Sequence, residues 1–166
     1  MHMKKVKSIT SFALTLFVAG SICLSSTNVQ AKDTILEAKT VAVATKQNKL
    51  TGASIVAYAN KFIGTPYKRG GTTTAGFDCS GFTKYVYSHF NINLPRIAKD
   101  QTSKGIVVSK ANLRIGDLVF FGKTTIYHVG VYVGNGKMIH SPKPGSSIRT
   151  VELKYMPNYN TARRIV

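Results

Sequence analysis

Residues 128–140 read HVGVYVGNGKMIH, and the type of fold follows from these thirteen letters. The residues alternate in character over 127–134, the Asn135-Gly136 pair is a strong turn signal, and the alternation resumes over 137–141. This pattern predicts a β-hairpin. Further strands are predicted at 118–121, 148–153 and 162–166. The C-terminal half of the chain therefore predicts an antiparallel β-sheet.

Upstream of the predicted sheet, apolar residues recur at helical spacing. A first helix is predicted from Ser54, its expected N-cap, to a stop at Gly64. A second is predicted from about Cys79 to His89, with Asp78 as its N-cap. Helices followed by an antiparallel sheet indicate an α+β fold.

The first 53 residues are predicted to lie outside this fold. Three lysines precede an apolar run at 12–24, and Val29-Gln30-Ala31 resembles a cleavage site, so residues 1–31 are interpreted as a signal peptide and not as a transmembrane segment. Residues 32–53 are predicted to be a linker or mobile arm. Residues 54–166 then form one domain, which is expected to be secreted and monomeric.

The chain is strongly basic, with 23 Lys and Arg against 6 Asp and Glu. The formal net charge is +17, and it stays at +14 after loss of the three leader lysines. The basic residues are scattered singly, and export argues against nucleic acid as a partner. Adhesion to anionic polymers of a cell envelope and a role in solubility alone explain the charge equally well.

Cys79 is the only cysteine left after removal of the predicted signal peptide. A lone thiol in an oxidising compartment is either buried and inert or kept for its reactivity. The flanking residues Asp78, Ser80 and Gly81 are poor core residues. A glycine near a helix start costs about 1 kcal/mol relative to alanine, which indicates close approach of another group. The helix N-terminus is expected to favour the thiolate, so Cys79 is predicted to be a nucleophile.

His128 and His140 lie on the two strands of the predicted hairpin. With a plain two-residue turn, they would face opposite sides of the sheet. A three-residue loop ending at Gly136, in the left-handed conformation, would place His140 opposite Gly130 and on the same face as His128. In a catalytic triad, His128 would be the base for Cys79 and His140 would orient that base. Such a triad therefore predicts the bulged loop.

A zinc site of one cysteine and two histidines is the competing chemistry. No close ligand pair such as CxxC or HxxxH supports it, so no metal and no cofactor is expected. Backbone N–H groups at the helix start, including that of Cys79, are expected to hold an oxyanion, with the Tyr67 hydroxyl as a further candidate.

The segment from about Ser54 to Arg164 resembles the NlpC/P60 family of cell-wall hydrolases, whose motifs occur here in the family's order and spacing. The matching stretches are 64–67 (GTPY) with Gly70-Gly71, 76–82 (GFDCSGF), 94–96 (LPR) with Gln101, 116–121 (GDLVFF), 128–136 (HVGVYVGNG) and 138–140 (MIH). The resemblance implies a papain-like fold, in which a helix that starts at the cysteine packs on the antiparallel sheet.

The resemblance also implies a function and a site. It implies hydrolysis of the stem peptides of bacterial peptidoglycan, usually between γ-linked D-glutamate and diaminopimelate or lysine, by a secreted or wall-associated thiol peptidase. It assigns nucleophile, base and third polar residue to Cys79, His128 and His140. Tyr67 matches a tyrosine near the oxyanion, and Asp78 and Ser80 match positions that hold the substrate's free amine in some members. Arg69 replaces a common aromatic residue and could meet a substrate carboxylate.

Two other functions stay open from the sequence. The first is a cationic wall-binding protein without activity on a degenerate peptidase scaffold, although all three triad residues are present. The second is the same triad acting on another acyl bond, such as the amide between stem peptide and sugar, or on a protein.

Overall fold

The computed structural model describes residues 50–166, so the predicted signal peptide and most of the predicted arm lie outside the described residues. Two helices and a small hairpin precede the main sheet. These elements are α1 (Gly52–Asn60), β1 (Thr72–Thr73), β2 (Gly76–Phe77) and α2 (Cys79–Ser88), followed by the single-turn helix α3 (Ala98–Gln101). Within the described residues, no helix is long and apolar enough to cross a membrane.

The main sheet has six antiparallel strands in the order β3-β8-β4-β5-β6-β7. The strands are β3 (Ile106–Val108), β4 (Leu118–Phe121), β5 (His128–Gly134), β6 (Lys137–His140), β7 (Arg149–Glu152) and β8 (Tyr159–Arg164). Helices packed on an antiparallel sheet confirm the α+β fold expected from the sequence. The final strand, predicted at 162–166, starts and ends earlier than expected.

The start of α1 differs from the prediction. The helix begins at Gly52 with Thr51 as N-cap, and the predicted cap Ser54 is the third helical residue. Thr51 Oγ1 accepts a hydrogen bond from the Ser54 N–H at 3.1 Å, and Ser54 Oγ accepts one from the Thr51 N–H at 3.0 Å. This reciprocal capping box stabilises the helix start. This helix therefore begins inside the segment that the sequence assigned to the arm.

Alternate residues of the central strands are buried on opposite faces of the sheet. Leu118 and Phe120 pack in the cluster that includes residues of α1 and α2, whereas Val119 and Phe121 pack in a second cluster with β6 and β8. All four side chains are fully buried. Because protein interiors are closely packed, strands that are buried on both faces have little freedom to move. β4 and the buried start of β5 therefore form a rigid support for His128, the first residue of β5.

Candidate active site

The N-terminus of α2 is held by the residue that precedes the cysteine. Asp78 is the N-cap as predicted, and its Oδ1 accepts the Gly81 N–H at 2.7 Å. An alanine Cβ at position 81 would lie 2.0 Å from the Gly71 carbonyl oxygen. The close approach indicated by this glycine is thus confirmed, because the Gly70-Gly71 loop packs directly on the first turn of α2.

The Asp78 carboxylate is already saturated with donors. Besides the Gly81 N–H, it accepts hydrogen bonds from Gly70 N–H (3.0 Å), Ser80 Oγ (3.3 Å) and Arg96 Nη1 and Nη2 (3.0 and 2.5 Å). Burial alone would raise the Asp78 pKa, but these bonds, led by that of Arg96, hold the pKa below its usual value. Arg96 was not predicted as a site residue, although it lies in the LPR stretch that matches the family. Its guanidinium binds the Asp78 carboxylate, the group that the resemblance assigned to the free amine of the substrate.

A buried glutamine ties the other side of α2 to the loop before α3. The Gln101 Nε2 donates to the carbonyl oxygens of Ser80 at 3.0 Å and Pro95 at 2.9 Å, and its Oε1 accepts from Thr83 Oγ1 at 2.8 Å. Gln101 is fully buried, so these bonds replace the water that its amide would otherwise need. Cys79 therefore sits at a helix start that is fixed from two sides.

The register of the β5–β6 hairpin is the one that a triad requires. Val131 lies opposite Ile139, so the next position along places Gly130 opposite His140. The register shifts between Tyr132 and Gly134, which confirms a bulge. The turn itself is tighter than predicted: Gly134 pairs with Lys137, and the two residues between them, Asn135 and Gly136, both have positive φ.

This register brings the two histidines into direct contact. Nε2 of His128 lies 2.7 Å from Nδ1 of His140, and both side chains are buried. Burial lowers the pKa of His128 to about 4, and burial together with the charges of His128 and Arg149 lowers that of His140 to about 3. Both imidazoles are therefore neutral near pH 7. If His128 is to accept a proton from the thiol, it must do so at Nδ1 and donate its Nε2–H to His140.

The Cys79 thiol does not have the ionisation state that its helix position suggested. Desolvation raises its pKa, and the charge of Asp78 raises it further, whereas N–H groups of Val129 and Ser80 act in the opposite direction. Burial therefore acts against the thiolate that the helix N-terminus was expected to favour. The thiol lies 4.0 Å from the Tyr127 carbonyl oxygen.

A pocket of about 490 Å³ collects most of the predicted site. Tyr67, Cys79, His128 and His140 all line it. Asp78 and Ser80 lie beside it at the start of α2, and Arg69 is not among its lining residues. Residues that the sequence did not single out complete the wall: Tyr127, Pro142, Lys143, Arg149, Met156 and Pro157. Tyr127, Pro142 and Lys143 lie within three residues of a predicted catalytic histidine, whereas Arg149, Met156 and Pro157 have no local signal that could have indicated them.

The comparisons with known proteins agree with this geometry. The profile described as the NlpC/P60 family matches residues 64–164, which is more than half of the chain. The chain belongs to the NlpC/P60 family. This is a family of cysteine peptidases, so the recognition made from the motifs is confirmed.

Individual relatives support the assignment to the NlpC/P60 family. The chain is 44% identical over 116 residues to the gamma-D-glutamyl-L-lysine dipeptidyl-peptidase of Bacillus subtilis, covering 68% of this chain and 39% of that protein. It is 43% identical over 110 residues to the probable endopeptidase NlpC homolog of Haemophilus influenzae, covering 64% and 59%. A crystal structure of an NlpC/P60 family protein from Bacillus cereus superposes with a TM-score of 0.67 at 38% identity, covering 72% and 42%. The chain thus spans less than two thirds of the length of each of these proteins.

The two buried histidines make the free energy of unfolding of the domain depend on pH. In the unfolded chain they titrate near pH 6.5, so between pH 6.5 and pH 4 the unfolded state binds more protons and stability falls as pH falls. From pH 7 to pH 4.5 we expect a loss of about 2 kcal/mol for each of the two histidines. Urea unfolding at both values measures it. The double variant His128→Asn/His140→Asn should lose most of this difference, and an unchanged difference would contradict the neutral buried pair.

Proposed function

We propose that this domain is a secreted, cofactor-independent cysteine peptidase that hydrolyses peptidoglycan stem peptides at the bond between γ-linked D-glutamate and a diamino acid. The observation that carries the proposal is the convergence of Cys79 and the bonded pair His128–His140 on one pocket. The names of its relatives, a gamma-D-glutamyl-L-lysine dipeptidyl-peptidase and a probable endopeptidase, supply the substrate class.

The mechanism begins from a neutral thiol and a neutral imidazole. As Cys79 Sγ attacks the γ-carbonyl carbon of D-glutamate, the thiol proton passes to Nδ1 of His128. The Nε2–H of His128 meanwhile donates a hydrogen bond to Nδ1 of His140. This transfer avoids a charged thiolate in a buried site, where desolvation would oppose it. The imidazolium then protonates the departing amine of the diamino acid, which leaves a thioester on Cys79. Water, deprotonated by His128, hydrolyses this thioester.

The tetrahedral oxyanion needs donors that are free before the reaction. Among the described residues, the Cys79 N–H donates no hydrogen bond. Tyr67 lines the same pocket, and burial and the charge of Cys79 raise the pKa of its phenol, which keeps its hydroxyl protonated as a donor. We assign the oxyanion to these two donors. Asp78 is assigned a supporting role, because it caps α2 and holds the Arg96 guanidinium through two hydrogen bonds, and the Ser80 hydroxyl contacts both groups. Arg69 does not line the pocket and is assigned no role there.

Mass spectrometry of digested cell walls tests the function. Purified peptidoglycan that contains either lysine or diaminopimelate is incubated with the protein, and Cys79→Ala is the matched control. We expect wild type alone to release L-Ala–γ-D-Glu, or to leave muropeptides trimmed to that dipeptide. Intact stem peptides freed from the sugar would instead identify an amidase. Retention on the wall without any product, or equal release by Cys79→Ala, would contradict the proposal.

A further inference from the structure

The pocket that contains Cys79 has a cationic wall for which the triad has no use. Lys143 and Arg149 both line it, and both belong to the β6–β7 hairpin that also supplies His140. In the part of the chain that the structure describes, no acidic residue lines this pocket. The two positive charges therefore face the space that the substrate would occupy.

Among residues 50–166, neither Lys143 nor Arg149 forms an ion pair. The three ion pairs among residues 50–166 join other residues, namely Arg96 to Asp78, Lys154 to Glu152 and Arg164 to Asp117. The one remaining acid of these residues, Asp100, lies on α3. A positively charged pocket wall without an internal partner is available to an anionic ligand group.

The position of Arg149 is fixed relative to the triad. Arg149 lies directly opposite His140 on the neighbouring strand, so the two side chains share a face of the sheet. In the tautomer that the mechanism needs, His140 carries its proton on Nε2, and this buried nitrogen has no hydrogen-bond partner among the described residues. Arg149 and the Nε2–H of His140 thus both present hydrogen-bond donors on one face of the sheet.

The loop that carries Lys143 and leads into Arg149 at the start of β7 is anchored to the rest of the domain. Its backbone bonds to the segment before β1: Tyr67 N–H donates to the Ser146 carbonyl oxygen at 2.8 Å, and Ile148 N–H to that of Thr65 at 2.9 Å. Ser146 Oγ closes the turn by donating to the Lys143 carbonyl oxygen at 2.5 Å. An anchored loop loses less conformational entropy when it binds a ligand.

We infer that Arg149, supported by Lys143, forms a subsite for a carboxylate of the stem peptide. The guanidinium is the side chain best suited to bind a carboxylate through two parallel hydrogen bonds. Two carboxylates of the proposed substrates could lie there: the α-carboxylate of γ-linked D-glutamate, or the second carboxylate of diaminopimelate. In the second case, the positive charges would repel the side-chain ammonium of lysine, and the subsite would select diaminopimelate over lysine. The inference rests on the proposed function.

Four synthetic peptides distinguish these sources. Each has the sequence L-Ala–γ-D-X–Y with a C-terminal amide, where X is glutamate or isoglutamine and Y is diaminopimelate or lysine. We compare kcat/KM for wild type, Arg149→Gln and Lys143→Gln, with Lys104→Gln as the control that removes an exposed charge outside the pocket. Dissociation constants for the same peptides are measured in the Cys79→Ala background, which reports on the subsite independently of turnover.

For peptides that carry the carboxylate bound by Arg149, we expect Arg149→Gln to lower kcat/KM by about tenfold, mainly through a higher KM. This is the size of effect expected for loss of a partly exposed hydrogen bond between two charged groups. A loss confined to glutamate peptides identifies the α-carboxylate, and a loss confined to diaminopimelate peptides identifies the second carboxylate. An equal loss on the isoglutamine–lysine peptide, which has no carboxylate, or no change in either constant would overturn the inference. If wild type cleaves none of the peptides but Arg149→Gln weakens their binding, the proposed function fails and the subsite stands.

Discussion

Replacing His128 by alanine is expected to lower kcat by about 10³-fold or more while KM changes little. Burial raises the pKa of the Cys79 thiol, so attack on a carbonyl requires a base at the moment of reaction. Both imidazoles line the pocket with Cys79, and His128 contacts His140 through Nε2, which leaves its Nδ1 to accept the proton of the thiol. Discontinuous assays with a γ-D-glutamyl peptide measure this loss of kcat, at enzyme concentrations high enough to detect slow turnover.

In the proposed mechanism His140 acts through His128, and the comparison of two His140 variants separates this role from a structural one. His140→Ala removes the acceptor for the His128 Nε2–H, and we expect about a 10²-fold loss of kcat. His140→Asn places an amide oxygen near the position of Nδ1, so it should recover much of this loss. Equal activity of the two variants, or a His128→Ala protein as active as His140→Ala, would contradict the assigned order of the triad.

The helix and hairpin that carry the triad were predictable because each has a local signal. Asp78 before Cys79 is a strong N-cap, and the turn pair Asn135-Gly136 between alternating residues predicts a hairpin. The bulge was predictable from function, since only that register puts both histidines on one face. Its detailed form was not, because Gly134 and Gly136 can both adopt positive φ and the sequence does not say which residue the bulge uses.

The remaining features depend on contacts between residues far apart in the chain. The short strands β1, β2 and β3 have two or three residues each, too few for an alternating pattern, and they are defined only by their pairing with other strands. The pKa of Cys79 depends on how deeply the helix start is buried, which local sequence does not encode. The approach of Arg96 to Asp78 and of Arg149 to His140 is likewise set by the sheet and its loops.

Gly81 offers the second large effect, because the first turn of α2 has no room for a methyl group. An alanine Cβ there would lie 2.0 Å from the Gly71 carbonyl oxygen and 3.0 Å from Asp78 Oδ1. The contacted oxygen is backbone, and it accepts the Asp78 N–H at 3.1 Å, so it cannot move away without breaking that bond. In a helix with free space, the same substitution would stabilise the protein by about 1 kcal/mol.

We therefore expect Gly81→Ala to destabilise the domain by at least about 2 kcal/mol, despite the better helix propensity of alanine. For a domain of this size that is a fall in Tm of about 10 °C, measured by calorimetry. Activity at 25 °C should fall more than the folded fraction does, because displacing the helix start by even about 1 Å moves the Cys79 thiol away from His128. Ser88→Ala, at the exposed end of the same helix, is the control and should change stability by no more than about 0.5 kcal/mol. A Gly81→Ala protein with the Tm of wild type would show that the Gly70-Gly71 loop does not fix the position of the nucleophile.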